Sequence, residues 1–199
     1  MNNRYCIVID AGHGGEDGGA VSCTGVLESK INLEISQKLN DLMQYLGYET
    51  RMIRSDDISI HTAGETIAAR KASDLKERVR IINSVDRALL VSIHQNHFPE
   101  GKYSGAQVFY APNPESEELA KLLQTMLIST VNRGSNRNAK RASGIFLMEN
   151  IKCNGVLIEC GFLSNSQEEV KLQSPDYQNK LCCVFASVIS NYLDRETTD

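Results

Sequence analysis

The sequence predicts an α/β fold, a single layered domain in which helices flank a largely parallel sheet. Three short apolar runs lack polar alternation, as strands covered on both faces do. They comprise residues 6–9, 88–93 and 155–158. Amphipathic segments separate these runs, and strands that alternate with helices are typical of a parallel sheet. No repeat, low-complexity tract or Pro/Gly-rich linker divides the 199 residues, so we expect one domain, 1–199.

Two further strands and four helices complete the predicted order of elements. Residues 48–54 and 106–111 alternate between polar and apolar side chains and are expected to form outer strands. The first helix has apolar residues every three or four positions across 31–46, and Gly47 ends it. The other three helices are expected to begin at residues that favour helix N-termini, namely Ser73, Asn113-Pro114 and Ser174-Pro175.

Charge and hydropathy exclude two classes of partner. With 21 Lys and Arg against 25 Asp and Glu, the net charge is -4, so no overall positive field attracts nucleic acid. No apolar run approaches the ~18 residues that a membrane span needs, and we expect no span. The N-terminal residues lack the basic and apolar segments of a signal peptide, so we expect any export signal to be absent from this chain.

The six cysteines do not form a metal or redox motif. None of them falls in a C-x-x-C pair, which argues against a structural zinc ribbon and a thioredoxin-type site. Six cysteines in 199 residues are also too few for a disulfide scaffold. We therefore expect free thiols, mostly buried.

Two histidines and a carboxylate follow the three apolar runs. His13 lies just after the first run, His94 after the second and Glu159 after the third. Because ligands of open α/β sheets bind at the carboxyl ends of the strands, these side chains are expected to meet at one edge. A nucleotide loop is excluded there, since the G-x-G-x-x-G pattern that starts at Gly12 fails at Asp17.

These residue types indicate a hydrolytic zinc site, which needs three protein ligands and one open position. His13 and His94 supply two ligands. The third is Glu28, just before the first helix, or Glu34 within it. Glu159 then stays free to take a proton from water and deliver it to a leaving amine. A structural ion pair is the alternative role for this carboxylate.

Other residues at this edge admit more than one interpretation. His97 is a possible fourth ligand, a substrate contact or simply part of a loop. Asn96 and Arg78 are candidates for holding the site or the substrate, and their alternative is an ordinary loop or helix-surface role. A thiol hydrolase built on Cys160 is disfavoured, because neighbouring strand residues point to opposite faces and Glu159 already faces the site.

Five motifs in order resemble the zinc-dependent N-acetylmuramoyl-L-alanine amidases of the type-3 catalytic domain. The resemblance runs over nearly the whole chain, and together the motifs are specific. They are IVIDAGHGGEDGGA at 7–20, ESKINLEISQKL at 28–39, LKERVRIIN at 75–83, VSIHQNH at 91–97 and VLIECGFLSNSQEEVKL at 156–172.

The resemblance implies a function and a set of site residues. His13, Glu28 and His94 would bind Zn²⁺, which favours Glu28 over Glu34, and Glu159 would be the catalytic carboxylate. The implied fold is a mostly parallel six-stranded sheet flanked by helices. The implied substrate is peptidoglycan, cleaved between N-acetylmuramic acid and L-alanine. A zinc peptidase acting within the stem peptide, or a catalytically silent peptidoglycan-binding module, are the alternatives.

One polar segment, 55–73, narrows the resemblance to a subgroup. Its amino-acid sequence resembles that of the spore-cortex, germination-specific amidases, which remove peptides so that muramic lactam can form. We expect it to be an insertion that faces the substrate or an accessory protein, and we expect no separate cell-wall-binding domain. The implied location is the cell envelope, in the wall or the spore cortex. Two positions depart from the family pattern, Gly18 where proline is common and His97 where a small residue is usual.

Overall fold

The computed structural model describes residues 5–196 and contains a six-stranded sheet with helices on both faces. The strands are β1 (Cys6–Ala11), β2 (Glu49–Met52), β3 (Ala88–Asn96), β4 (Gln107–Tyr110), β5 (Lys140–Arg141) and β6 (Asn154–Phe162). The helices are α1 (Glu28–Tyr45), α2 (Ile67–Asn83), α3 (Pro114–Thr130), α4 (Phe146–Asn150), α5 (Ser166–Leu172) and α6 (Pro175–Glu196). The predicted fold class is confirmed.

The sheet is mostly parallel, as predicted. Its strand order is β2-β1-β3-β6-β4-β5, and the pair β4 with β6 is antiparallel while the other pairs are parallel. The three apolar runs form β1, β3 and β6, which are adjacent in the centre. β5 was not predicted, because two residues are too short to show a periodicity.

The first, third and last predicted helices are confirmed, and the second begins earlier than predicted. The predicted N-cap Ser73 is wrong: it lies inside α2, and its hydroxyl accepts hydrogen bonds from the backbone of Thr62 and Ala63. The helix begins at Ile67, after Thr66, whose side chain accepts the N–H of Ala69. Because Thr66 and not Ser73 caps the helix, α2 is about two turns longer at its N-terminus than predicted.

Helices cover both faces of the central strands, which explains their apolar sequences. Ile9, Val91 and Ile158 pack in a core shared with α1, α3 and α6, whereas Leu90 and Leu157 pack on the other face with α2 and α4. Each such side chain contributes about 1.5–3 kcal/mol through burial. Strand residues alternate between faces. The polar residues that come after the apolar runs, on the same face as Leu90 and Leu157, therefore point toward α2 and α4.

The cysteines are free, as expected, but only three of the six are buried. All six cysteines lie in the described part of the chain and are free; Cys6, Cys160 and Cys182 are buried, and Cys23 and Cys183 are exposed. Among the helices of residues 5–196, none combines the length and apolarity that a membrane crossing requires.

Candidate active site

The loop after β1 has a backbone that few residues adopt. His13 has a φ of 62°, and the two glycines that follow, Gly14 and Gly15, have φ of 137° and 61°. A positive φ is unfavourable for a residue with a Cβ and persists only where the surroundings impose it. Contacts from elsewhere in the chain must therefore hold the His13 backbone.

Arg78 of α2 provides one of those contacts. Its side chain is 2% exposed, and its guanidinium donates to the carbonyl oxygens of Ala11 at 3.0 Å and His13 at 2.8 Å. Its charge is balanced by Asp10, at 2.5 Å, and by Asp74, also at 2.5 Å. Arg78 is thus a buried support of the loop rather than a helix-surface residue.

Arg54 provides the second contact, from the segment after β2. Its guanidinium is buried and donates to the carbonyl oxygens of Ala11 at 2.8 Å, Gly12 at 3.0 Å and Ser29 at 2.9 Å. The last of these belongs to the first turn of α1. Arg54 therefore fixes the distance between the His13 loop and the start of α1, where Glu28 stands.

His13, Glu28 and His94 converge as the sequence predicts. His13 Nε2 lies 3.3 Å from Glu28 Oε2, and His94 Nδ1 lies 3.0 Å from Glu28 Oε1. One donor atom from each of the three residues lies within 4.8 Å of the others. Two imidazoles and a carboxylate at this separation are a donor set suited to Zn²⁺.

Glu28 is held in place by backbone and side-chain donors. Its Oε2 accepts the N–H of Ala20 at 2.9 Å, and its Oε1 accepts the N–H of Gln95 at 3.0 Å and the amide of Asn32 at 3.2 Å. Burial raises the pKa of this carboxyl, but the contacts with His13 and His94 outweigh burial and hold the pKa well below its usual value. The group is therefore ionised, as a ligand must be.

Two glycines allow the loops to close on these side chains. A Cβ at Gly12 would overlap the ring of His94, and a Cβ at Gly19 would lie 2.5 Å from Glu28 Oε2 and 2.8 Å from the His13 ring. Gly19 also has a φ of 68°. The backbone thus forms a cradle around the three side chains, which fits a site built to hold an ion.

Asp17 orients the imidazole of His13. Its Oδ2 lies 2.9 Å from His13 Nδ1, and its Oδ1 accepts from Lys71 Nζ at 3.0 Å. With Nδ1 donating to a carboxylate, Nε2 keeps its lone pair on the side of Glu28. Burial lowers the pKa of His13, but the hydrogen bonds to Glu28 and Asp17 outweigh it and raise the pKa above the usual value.

Glu159 lies beside the three-residue cluster. It pairs with His94 across β3 and β6, so both side chains leave the same face of the sheet. Its Oε2 is buried and has no hydrogen-bond partner in the described part of the chain. Burial raises the pKa of this carboxyl to about 7, against a smaller opposing effect of His94. Cys160 points into the core, which removes it from the site.

A cavity of about 320 Å³ opens beside these residues. The cavity is lined by His13, His94 and Arg78 and by residues 144–147, which lead into α4. Phe146 in that lining is 39% exposed. The cavity gives a substrate access to the cluster from the α2 and α4 face.

The remaining sequence candidates lie outside the cluster. Glu34, the alternative third ligand, accepts from Gln178 at 2.9 Å instead. His97 is exposed and does not join the donor atoms that come together among the described residues. Asn96 is half-buried at the end of β3, where its carbonyl accepts from Leu163.

Three features of the site were missed from the sequence. Asp17 carries a weak signal, since it lies four residues after His13 in the same loop. No sequence spacing could reveal Arg54 or residues 144–147 as part of the site, because their contacts join segments that are distant in the chain.

The comparisons with known proteins identify relatives over nearly the whole chain. Residues 7–191 match the family model of the N-acetylmuramoyl-L-alanine amidases. The germination-specific N-acetylmuramoyl-L-alanine amidase of Bacillus subtilis (strain 168) is 40% identical over 188 residues, which cover 94% of this chain and 78% of that protein.

Solved structures agree in fold. The CwlD amidase from Clostridioides difficile, solved in complex with the GerS lipoprotein, has a TM-score of 0.91 and 37% identity, and the match covers 96% of this chain and 99% of that chain. An N-acetylmuramoyl-L-alanine amidase from Clostridium difficile 630 has a TM-score of 0.81 and 31% identity, covering 96% and 98%. The family resemblance noted in the sequence is confirmed.

Replacing Asp17 by Asn is expected to weaken zinc binding. The substitution removes the charge that orients and polarises His13, and loss of such a partner lowers metal affinity roughly 10–100-fold. The measurement is zinc affinity by competition with a chromophoric chelator. Glu16→Gln is the matched control, because the Glu16 carboxylate pairs with Arg70 and not with His13. An equal loss in both variants would contradict the assignment.

The metal-free protein is expected to lose stability as pH rises, because of Glu159. Its pKa is about 7 when folded and 4.5 in the reference state, so the folded protein binds more protons between these values. The Glu159→Gln variant mimics the protonated form. Urea unfolding should give similar free energies for both proteins near about pH 5, and wild type less stable by about 2 kcal/mol near about pH 8. A difference that does not change with pH would count against this.

Proposed function

The chain belongs to the N-acetylmuramoyl-L-alanine amidase family and is therefore an amide hydrolase, and we propose that it works as a zinc enzyme on spore-cortex peptidoglycan. The observation that carries the zinc proposal is the convergence of His13, Glu28 and His94 beside a carboxylate, Glu159, whose Oε2 is buried without a partner. The bond cleaved is the amide between the lactyl group of N-acetylmuramic acid and L-alanine.

His13, Glu28 and His94 would hold the metal. The glycine cradle, the donor chemistry and the hydrogen-bonded Glu28 all fit a zinc ion. When bound, zinc supplies Lewis acidity that polarises the scissile carbonyl and makes water more acidic. Because the pKa of His13 is raised in the metal-free protein, loading requires loss of any proton on this ring, and affinity is expected to fall at acid pH.

Glu159 would move the proton during hydrolysis. Its side chain shares a face with His94, which would bring its carboxylate close to the scissile carbonyl. It takes one proton from the attacking water and returns it to the alanine nitrogen as the amide bond breaks. Burial raises the pKa of this carboxyl to about 7 in the metal-free protein, and the charge of a bound cation would lower it toward the ionised form that accepts a proton.

The other residues of the site position these groups. Asp17 sets the ring orientation of His13, and Arg78 holds the carbonyl of that residue. The cavity wall at 144–147 limits how the glycan or peptide can lie across the cluster. Asn96 and His97 at the end of β3 remain candidates for contacts with the substrate.

The cortex assignment rests on the kind of relative that the chain resembles. The Bacillus subtilis relative at 40% identity is germination-specific. On this basis we assign the chain to the cell envelope, where removal of stem peptides precedes muramic lactam formation. Vegetative peptidoglycan is the competing substrate.

The Glu159→Gln variant and chelated wild type should both lose activity on purified peptidoglycan. Removal of the proton-transfer group costs about 10²–10⁴-fold in rate. The measurement is release of new alanine amino groups, with product masses and zinc per chain, on cortex and vegetative substrates. Glu34→Gln is the control, since its partner Gln178 lies outside the site. Unchanged release in Glu159→Gln would refute the mechanism.

The products also distinguish the alternative functions. Free peptides with N-terminal alanine support the amidase, and fragments cut within the stem peptide indicate a zinc peptidase. Binding to peptidoglycan without any product, and without zinc, indicates a silent module.

The segment 55–73 would contact an accessory lipoprotein. A relative with 37% identity was solved in complex with one. In this chain the segment presents two exposed apolar side chains, Ile58 at 51% and Ile67 at 62%. It also touches the His13 loop, since Asp57 accepts the N–H of Gly15 at 3.1 Å. The segment is therefore a surface next to the site and not an excursion away from it.

The pair of substitutions Ile58→Asp and Ile67→Asp should abolish a complex with the GerS lipoprotein, used as the probe in size-exclusion chromatography. A charge at the centre of an apolar contact removes its burial and leaves an unpaired ion. Val170→Asp, at another exposed apolar position (70%), is the control. A complex that survives the double substitution but not the control would place the interface elsewhere.

A further inference from the structure

A second, larger pocket lies beyond the end of β6. It has a volume of about 760 Å³ and is formed by residues 102–105, the loop after α3 and the start of α5. Four cationic side chains line it: Lys102, Arg133, Arg137 and Lys171. In a chain with a net charge of -4, this is a local concentration of positive charge.

The carboxylate that lines this pocket is already engaged. Glu168 is 5% exposed, and its Oε2 accepts the N–H of Gly105 and of Phe162, both at 2.9 Å. Its charge is therefore used to hold two backbone segments together. Lys102 pairs with Glu100, but Arg133, Arg137 and Lys171 still exceed the one lining carboxylate, and the pocket keeps an excess of positive charge.

Among the four cationic side chains, the orientation of Arg137 is restrained by contacts on one side of its guanidinium. Its Nε donates to the carbonyl of Ser104 at 3.1 Å, and its guanidinium carbon lies 4.9 Å from the centre of the Phe162 ring. Its two terminal nitrogens have no hydrogen-bond partner in the described part of the chain. A guanidinium that is stacked and anchored on one side presents its remaining donors as a fork, the geometry that binds a carboxylate in two places.

The pocket is close to the catalytic edge. Phe162, on which Arg137 stacks, follows Glu159 by three residues in β6, and it pairs with Asn96 while Glu159 pairs with His94. The register shifts between these pairs, because β6 has one more residue than β3 there. The bulge brings Phe162 to the same side as Glu159, at a separation of about two strand positions, roughly 7 Å.

We propose that this pocket binds a free carboxylate of the stem peptide, with Arg137 as its principal ligand. The proposal rests on the proposed function, which places the first alanine at Glu159. An α-linked residue spans about 3.3–3.6 Å, and a γ-linked glutamyl residue spans more because it adds two carbon atoms to the main chain, so the second and third residues can reach the pocket. In peptidoglycan these residues carry free carboxylates, and amidation of them removes the charge that Arg137 would recognise.

Binding of the stem peptide tests this without any hydrolysis. The zinc-loaded full chain is titrated by calorimetry with the free tripeptide L-alanyl-γ-D-glutamyl-diaminopimelate and with its amidated form. Loss of one charge-assisted pair corresponds to a roughly tenfold or greater rise in Kd. We expect that rise for the acid peptide in Arg137→Gln and a smaller rise in Arg137→Lys, which keeps the charge but loses the fork.

The control and the amidated peptide make the result specific. Arg51→Gln removes an exposed charge from β2, at the far side of the sheet, and should bind both peptides as wild type does. Amidated peptide should bind wild type and Arg137→Gln equally. If Arg137→Gln binds the acid peptide as well as wild type does, or loses affinity for both forms alike, the proposal is wrong.

Kinetics separate this proposal from the catalytic one. With muramoyl peptides as substrates, Arg137→Gln should raise KM for the acid form and leave kcat within about twofold. Absence of hydrolysis by wild type would refute the proposed function, whereas a retained carboxylate preference in the calorimeter would still support the pocket. If wild type hydrolyses the substrate but shows no preference for the free carboxylate, the proposed function stands and the pocket proposal is wrong.

Discussion

Two buried guanidinium groups fix the backbone on which the site is built. Arg54 and Arg78 together bind the carbonyl oxygens of three consecutive residues, 11–13, where β1 leaves the sheet. Burying such charges is expensive unless partners satisfy them, and for Arg78 these partners are Asp10 and Asp74. The same interactions link β1, α1 and α2. The positions of the ligand-type side chains therefore depend on these two arginines as well as on the glycines of the loop.

The order of the strands determines which side chains can meet. β1, β3 and β6 are neighbours, so the residues after their apolar runs emerge at one edge, and α1 begins at that edge with Glu28. Alternation along β6 then places Glu159 toward the site and Cys160 in the core. The bulge that follows changes the register, and it allows the same strand to contribute Phe162 on the side of Glu159.

The central strands and most of the site residues could be predicted from the sequence. Apolar runs report strands buried on both faces, and parallel strands end at a common edge, so His13, His94 and Glu159 could be grouped without coordinates. The resemblance to the amidases then favoured Glu28 over Glu34 as the third ligand. Arg78 was a candidate for holding the site, but Arg54 could not be predicted, because a buried arginine is recognisable only by the groups that surround it. Ser73 was misassigned since local propensity cannot show that Thr66 caps first.

The left-handed backbone of His13 has a thermodynamic consequence. Because arginine side chains already hold the loop in this conformation, its conformational entropy is lost when the chain folds and not when a ligand arrives. The histidine and glutamate side chains are then restrained before any ion is present. An ion that binds such a prepared site spends little of its binding free energy on ordering the protein, and more of it is available as affinity.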